Sequence, residues 1–174
     1  MEERTGLVTL HGNPLTLLGP ELKVGDTAPD ASALANDLQS VSLSSYSGKL
    51  VILSLVLSLD TPVCDLETRR FNELAAHFAE NIVIVTVSVD LPFAQARWCA
   101  HAEVEQVVTL SDHRDLDFGQ KFGMLIKDLR LLARAVFIID AQGVIRYLQL
   151  VPEIGSEPDY DEVMGEIKSL VEEQ

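Results

Sequence analysis

The sequence is short of cysteine: it has two, Cys64 and Cys99. They form no CxxC pair, which excludes a thioredoxin-type dithiol motif, a cysteine zinc site and a disulfide-stapled scaffold. Basic residues are scarce as well. Against 27 Asp and Glu stand only 13 Lys and Arg, a formal net charge of −14. A surface this acidic repels phosphate backbones and anionic lipid, which argues against nucleic acid and membrane partners. No apolar run approaches the roughly 20 residues of a membrane-spanning helix, and the longest, around 50–57, is interrupted. The histidines, His11, His77, His101 and His113, show no metal-ligand spacing, so neither a metal nor another cofactor is expected. Repeats and low-complexity tracts are absent. The opening Met1-Glu2-Glu3-Arg4 is acidic and no apolar segment of signal-peptide type follows. The expected location is therefore cytoplasmic, where reducing conditions keep both cysteines as thiols and make any disulfide transient.

What is present reads as one α/β domain spanning 1–174. Hydrophobic residues are 47% and charged residues 23%, the balance of a globular chain with a sizeable core. Two short apolar stretches, 7–10 and 15–18, flank the turn tetrapeptide His11-Gly12-Asn13-Pro14, so an N-terminal β-hairpin is expected. Residues 23–29 read as an irregular approach to the core. Further strands are expected at 50–55, 81–89, 106–110, 133–140 and 144–150, the last two around Ala141-Gln142-Gly143. Helices are expected at 62–78, 92–102, 115–122 and 159–173. In the first of these Cys64, Phe71, Leu74, Ala75 and Phe78 recur at helical spacing, with Glu67 the one polar interruption. Strand 50–55, helix 62–78 and strand 81–89 make a βαβ unit with parallel strands. A mixed central sheet flanked by helices follows, thioredoxin-like in outline, although the pattern also fits other three-layer α/β sheets.

The chemistry concentrates in Ser58-Leu59-Asp60-Thr61-Pro62-Val63-Cys64. Thr61 is a natural helix N-cap and Pro62 suits the first helical position. Cys64 then falls at the third helical position, where free backbone amides and the helix dipole favour a thiolate, the nucleophilic form. Cys64 also fits the apolar stripe as a small buried hydrophobe, and the pattern leaves both open. Cys99 sits on the helix after the next strand, either as a plain thiol or as one that attacks an oxidised Cys64. Arg134 interrupts an apolar run and could pair with a carboxylate at the sheet edge. Asp60, Glu67, Arg69 and Arg70 flank the cysteine and read mostly as a solvated face. Ser88 and Asp90 end a strand, where they could line a pocket or cap the next helix. The segment 152–174 carries eight acidic residues against Lys168 alone, read as a solvated helix face.

Several of these stretches, in order, resemble the thiol peroxidase branch of the peroxiredoxins. They are Thr9-Leu10-His11-Gly12-Asn13-Pro14, the run from Ser58 to Asn72, and the run from Ser88 to Cys99. Ser111-Asp112-His113-Arg114, Leu131-Leu132-Ala133-Arg134-Ala135-Val136 and Glu157-Pro158-Asp159-Tyr160 complete the set. The resemblance covers almost the whole chain. It implies a thioredoxin-like fold with an N-terminal hairpin extension, usually a homodimer, that reduces peroxides and is itself reduced by thioredoxin. It implies Cys64 as the peroxidatic cysteine, Cys99 as the resolving cysteine of the same chain, Thr61 as the threonine of the PxxxTxxC motif, and Arg134 as the arginine that reaches the site from a distant strand. One position departs: the motif's proline falls at 57, and this chain has Leu57. Leucine can still shield the cysteine, but it lacks proline's fixed φ and restores a backbone N–H. That departure keeps a second class of function in view, a weakly active or non-catalytic redox sensor using the same Cys64–Cys99 switch.

Overall fold

The computed structural model describes residues 1–75, 77–78 and 80–173. In chain order the elements are β1 (Glu3–Leu10), β2 (Asn13–Leu18), β3 (Ser32–Leu34), β4 (Ser40–Ser42), β5 (Leu50–Leu55), α1 (Pro62–Ala75), β6 (Ile82–Ser88), α2 (Pro92–Ala102), β7 (Val108–Ser111), α3 (Asp117–Lys121), β8 (Leu125–Ile126), β9 (Leu131–Leu132), β10 (Ala135–Ile139), β11 (Ile145–Leu150) and α4 (Tyr160–Glu172). The main sheet runs β11-β10-β5-β6-β7-β3-β4. β5, β6 and β7 are parallel, whereas β10 and β11 are antiparallel to their neighbours. This is the mixed sheet of the thioredoxin-like α/β fold, with β1 and β2 as an N-terminal hairpin.

The central strand β5 reads Leu-Val-Ile-Leu-Ser-Leu, and all six residues are buried, as a strand covered on both faces requires. Side-chain alternation then sorts the core into two layers. Leu50, Ile52, Ile84, Val136 and Ile138 pack with Phe71 of α1, Trp98 and Ala102 of α2, and Val163, Ile167 and Leu170 of α4. On the other side Val51, Leu53, Leu55, Val85 and Phe137 pack with Phe118 of α3 and with Val8 and Leu17 of the hairpin. The two cysteine-bearing helices, α1 and α2, thus share one face, as two successive right-handed crossovers dictate.

Local differences from the expected elements have physical causes. The hairpin turn is His11-Gly12 alone, with φ of 52° and 80°, the left-handed pair whose twist matches the strands it joins. β3, β4, β8 and β9 are two or three residues long, too short to show a period. The helix expected over 62–78 ends at Ala75 and continues as turns, His77 N–H to Leu74 and Phe78 N–H to Ala75; its position 76 lies outside the described residues. The strand expected from 133 begins at Ala135, which pairs with Leu55, the last residue of β5. Beyond Leu55 that neighbour leaves the sheet, so Arg134 lies in the connection before β10 and not on the strand.

Candidate active site

After β5 the chain turns through residues 56–61 and enters α1. The Thr61 carbonyl accepts the Asp65 N–H at 2.9 Å, and its hydroxyl oxygen accepts the Cys64 N–H at 3.4 Å. Thr61 is therefore the N-cap, with Cys64 three residues inside. The Thr61 hydroxyl donates to the Ser58 carbonyl at 2.8 Å, closing the turn on itself. In return the Ser58 N–H points at the Cys64 sulfur, 3.5 Å away. Asp90, just past β6, clamps this turn: its carboxylate accepts from the Ser58 hydroxyl at 2.6 Å, the Leu59 N–H at 2.8 Å and the Ser88 hydroxyl at 2.6 Å. Ser88 and Asp90 thus fix the loop before Cys64 instead of capping α2, whose N-cap residue is Leu91.

Cys64 is fully buried, in a small cluster with Val56 and Leu59 that Leu57 and Trp98 cover from the outside. One helical turn on, Glu67 is also fully buried, on the same face of α1 as the thiol. Its carboxylate accepts from Arg134 Nη1 at 2.5 Å and from the Ser54 hydroxyl at 3.0 Å. Arg134 is 1% exposed, and its Nε and Nη2 both donate to the Ile154 carbonyl, at 3.1 and 2.8 Å. Burial works against the Arg134 charge, but Glu67 and then the Cys64 sulfur outweigh it, so the guanidinium is held even more firmly protonated than usual. Burial pushes the Glu67 carboxyl up, against the pull of Arg134 and Ser54. Glu67 is the correction here: it is no part of a solvated face, because a buried arginine needs a carboxylate beside it. Its break in the apolar stripe of α1 was the signal for it. Asp60, Arg69 and Arg70 do lie at the surface or near it.

The Ile154 carbonyl is in turn held by the hairpin. Thr9 N–H donates to Pro152 and Ile154 N–H to Thr9, at 2.8 and 3.0 Å. Glu153 accepts from the N–H groups of Gly12 and Gly155 and from the Thr9 hydroxyl. So one acidic residue of the segment 152–174 does structural work at the site's edge, where only a solvated face was expected.

The structure brings together Cys64, Thr61 and Arg134. Cys99 stands apart. It is half-buried on α2, its sulfur 3.6 Å from the Thr109 hydroxyl, at an open groove of about 430 Å³ that Asn36 and Glu105 also line. Both cysteines are free thiols. Cys64 thus lies under an apolar cover, facing a backbone N–H, the start of a helix and a fixed guanidinium, groups that stabilise negative charge placed beside them. Among the described residues no helix is long and apolar enough to cross a membrane.

A buried thiol at a helix start on a thioredoxin-like sheet is an arrangement suited to a thiol-dependent oxidoreductase, and comparison with known proteins settles the class. Residues 23–164 match the Redoxin family. The thiol peroxidase of Halalkalibacterium halodurans is 53% identical over 164 residues, covering 94% of this chain and 98% of that one. That of Oceanobacillus iheyensis is 52% identical over 160 residues, covering 92% and 97%. The crystal structure of a peroxiredoxin-like protein from Aquifex aeolicus superposes with a TM-score of 0.89 at 47% identity, covering 98% of this chain and 99% of that one. The chain belongs to the Redoxin family, in its thiol peroxidase branch, and is a peroxidase.

Proposed function

We propose that the chain reduces hydrogen peroxide and organic hydroperoxides through Cys64, with Cys99 as the resolving thiol and thioredoxin as the reductant. The Cys64 thiolate attacks the terminal peroxide oxygen. An S–O bond forms as the O–O bond breaks, the sulfur is oxidised to a sulfenic acid, and the leaving oxygen takes a proton to become water or an alcohol. The Ser58 N–H, the start of α1 and Arg134 bear the negative charge that moves from sulfur to the leaving oxygen. Thr61 holds the turn that aims the Ser58 N–H. The Cys99 thiolate then attacks the Cys64 sulfur, a disulfide forms, and hydroxide leaves as water. Thioredoxin, a dithiol, supplies the two electrons that restore both thiols.

The observation that carries this reading is the buried Cys64 sulfur facing the Ser58 N–H beside the Arg134–Glu67 pair. The partial burial of Leu57 over the cysteine cluster favours a working peroxidase over the sensor, since the shielding expected of a proline is supplied by leucine. The cytoplasm, with its thioredoxin, is the matching compartment. Leu66, Leu91 and Phe93 are large apolar side chains left exposed on or beside the cysteine helices, surface that a second copy would cover in a homodimer. The whole of 1–174 acts as one domain, because the hairpin grips the loop that orients Arg134.

The test is peroxide consumption coupled to thioredoxin oxidation. Cys64→Ser abolishes both. Cys99→Ser still consumes one equivalent of peroxide but turns over no thioredoxin. Full thioredoxin-dependent turnover by Cys99→Ser would refute the resolving role.

A further inference from the structure

The residues next to the two cysteines hold each other. Asp65 follows Cys64 on α1, and Trp98 precedes Cys99 on α2. The indole Nε1–H of Trp98 donates to the Asp65 carboxylate at 2.7 Å. Arg69, one turn along α1, donates to both oxygens of the same carboxylate at 3.1 and 3.2 Å. Its guanidinium lies 5.6 Å from the centre of the indole ring and reaches the Ala102 carbonyl at the end of α2, at 3.4 Å. A carboxylate and a guanidinium spaced i, i+4 on α1 thus clasp an indole and a carbonyl spaced i, i+4 on α2.

The clasp matters because the other anchors of α2 hold its first half: the buried Gln95 amide donates to the Ser88 hydroxyl and the Leu110 carbonyl, at 3.0 and 2.9 Å. Of its eleven residues only Pro92 and Gln95 are buried. Its C-cap, Glu103, is in the left-handed region at φ 57°, a conformation unfavourable for a residue other than glycine. The indole of Trp98 covers the Cys64 cluster, while the Cys99 sulfur is turned toward Thr109 on the sheet. A disulfide needs the two Cα atoms within about 7 Å and both sulfurs aimed at each other. For Cys99 to arrive at Cys64, the indole must leave its place.

Resting on the reading of Cys99 as the resolving thiol, we infer that Asp65, Trp98 and Arg69 form a latch that sets the rate of disulfide closure. Asp65 and Trp98 are positioning residues. Closed, the latch holds the Trp98 indole over the Cys64 cluster and leaves Cys99 facing Thr109. Its opening limits the arrival of Cys99. The time for which it stays closed is the time for which the Cys64 sulfenic acid is exposed to a second peroxide and to conversion into sulfinic acid.

The experiment mixes reduced protein rapidly with hydrogen peroxide and follows Trp98, the only tryptophan. Mass spectrometry of quenched samples counts disulfide and Cys64 sulfinic acid in parallel. In Asp65→Ala the peroxide-dependent phase stays within twofold of the unaltered protein. The peroxide-independent phase speeds up about fivefold or more, the scale of one charge-assisted hydrogen bond at a half-exposed site. The sulfinic fraction falls in proportion. Trp98→Phe keeps an aromatic ring but removes the N–H donor together with part of the indole's bulk; read by mass spectrometry alone, it shows the same faster closure. Asp65→Asn, which keeps an acceptor for the indole, lies between. Closure unchanged or slower in Asp65→Ala overturns the latch, as does acceleration in Asp65→Ala that Trp98→Phe does not share, which would assign the effect to the start of α1. If the unaltered protein forms no Cys64–Cys99 disulfide at all, the resolving role falls and the latch with it.

Discussion

Removing the guanidinium of Arg134 separates what the buried pair does for stability from what it does for chemistry. In Arg134→Met the side chain stays long but becomes apolar, so the Ile154 carbonyl loses two donors and Glu67 is left fully buried without its cation. Breaking a buried ion pair from one side costs about 3–5 kcal/mol. The cost depends on pH in a defined direction. With Arg134 gone, Glu67 loses both of its charge-based supports and keeps only the Ser54 hydroxyl, while burial still pushes its carboxyl up. Its folded value, raised already in the unaltered protein, then climbs further above the unfolded value of about 4.3. A group raised on folding contributes stability that is complete below the unfolded value and is lost as pH rises through the folded one. The variant therefore weakens from pH 5 to pH 8 relative to the unaltered protein, by at most about 1.4 kcal/mol per pH unit while the carboxyl titrates. Urea unfolding of both proteins at pH 5, 6, 7 and 8 measures the gap. A second change, Glu67→Gln, made in the Arg134→Met background, recovers stability at pH 7 because no charge remains to be buried. Peroxide reactivity behaves differently. Without the guanidinium beside the reacting sulfur, the rate with hydrogen peroxide drops about 10²–10³-fold, and neither acidification nor the second change restores it. A stability gap that stays constant from pH 5 to pH 8, or a rate that recovers with stability, would refute the reasoning.

Two other perturbations probe the surroundings of the site. Leu57→Ala removes the half-buried cover of the Cys64 cluster; alkylation of Cys64 by iodoacetamide speeds up severalfold, at a stability cost of about 1–2 kcal/mol for a side chain only partly buried. Asp112 is buried, accepts the N–H groups of Gly119 and Phe118, and is pushed by its burial up to about 6. Being raised on folding, it takes stability away as pH climbs from about 4 through 6, so the urea midpoint of the unaltered protein falls relative to Asp112→Asn across that window, and a constant difference would contradict the assignment.

Long, strongly patterned elements were legible in the sequence. β5 and α2 lie where apolar runs and a proline start place them, residues 50–55 and 92–102. What was illegible was set by partners distant in the chain. β8 and β9 are two residues each and exist because β2 and each other supply ladder partners. Arg134 falls off its expected strand because β5 runs out of residues to pair with it. The direction of Cys99 followed from neither motif nor period, since Thr109 on β7 decides it.

The site shows most clearly what a single sequence does and does not carry. Its parts lie in four separate stretches: the turn 56–61 with α1, the segment 88–90 after β6, the connection before β10, and the loop at Ile154. Apart from the stretch around Cys64, each reads locally as something ordinary. Yet two of them carry the same anomaly, a charge set into an otherwise apolar pattern: Glu67 in the stripe of α1 and Arg134 in the run that leads to β10. Either charge buried alone costs several kcal/mol, more than a fold of marginal stability can absorb. The two anomalies together therefore imply one buried pair of opposite sign, and that inference was open from the sequence. Helical spacing then adds the functional part. Glu67 is three residues from Cys64, so whatever neutralises Glu67 must stand against the thiol as well. The pair that keeps the core electrically neutral is by the same geometry the pair that sets a cation beside the Cys64 sulfur.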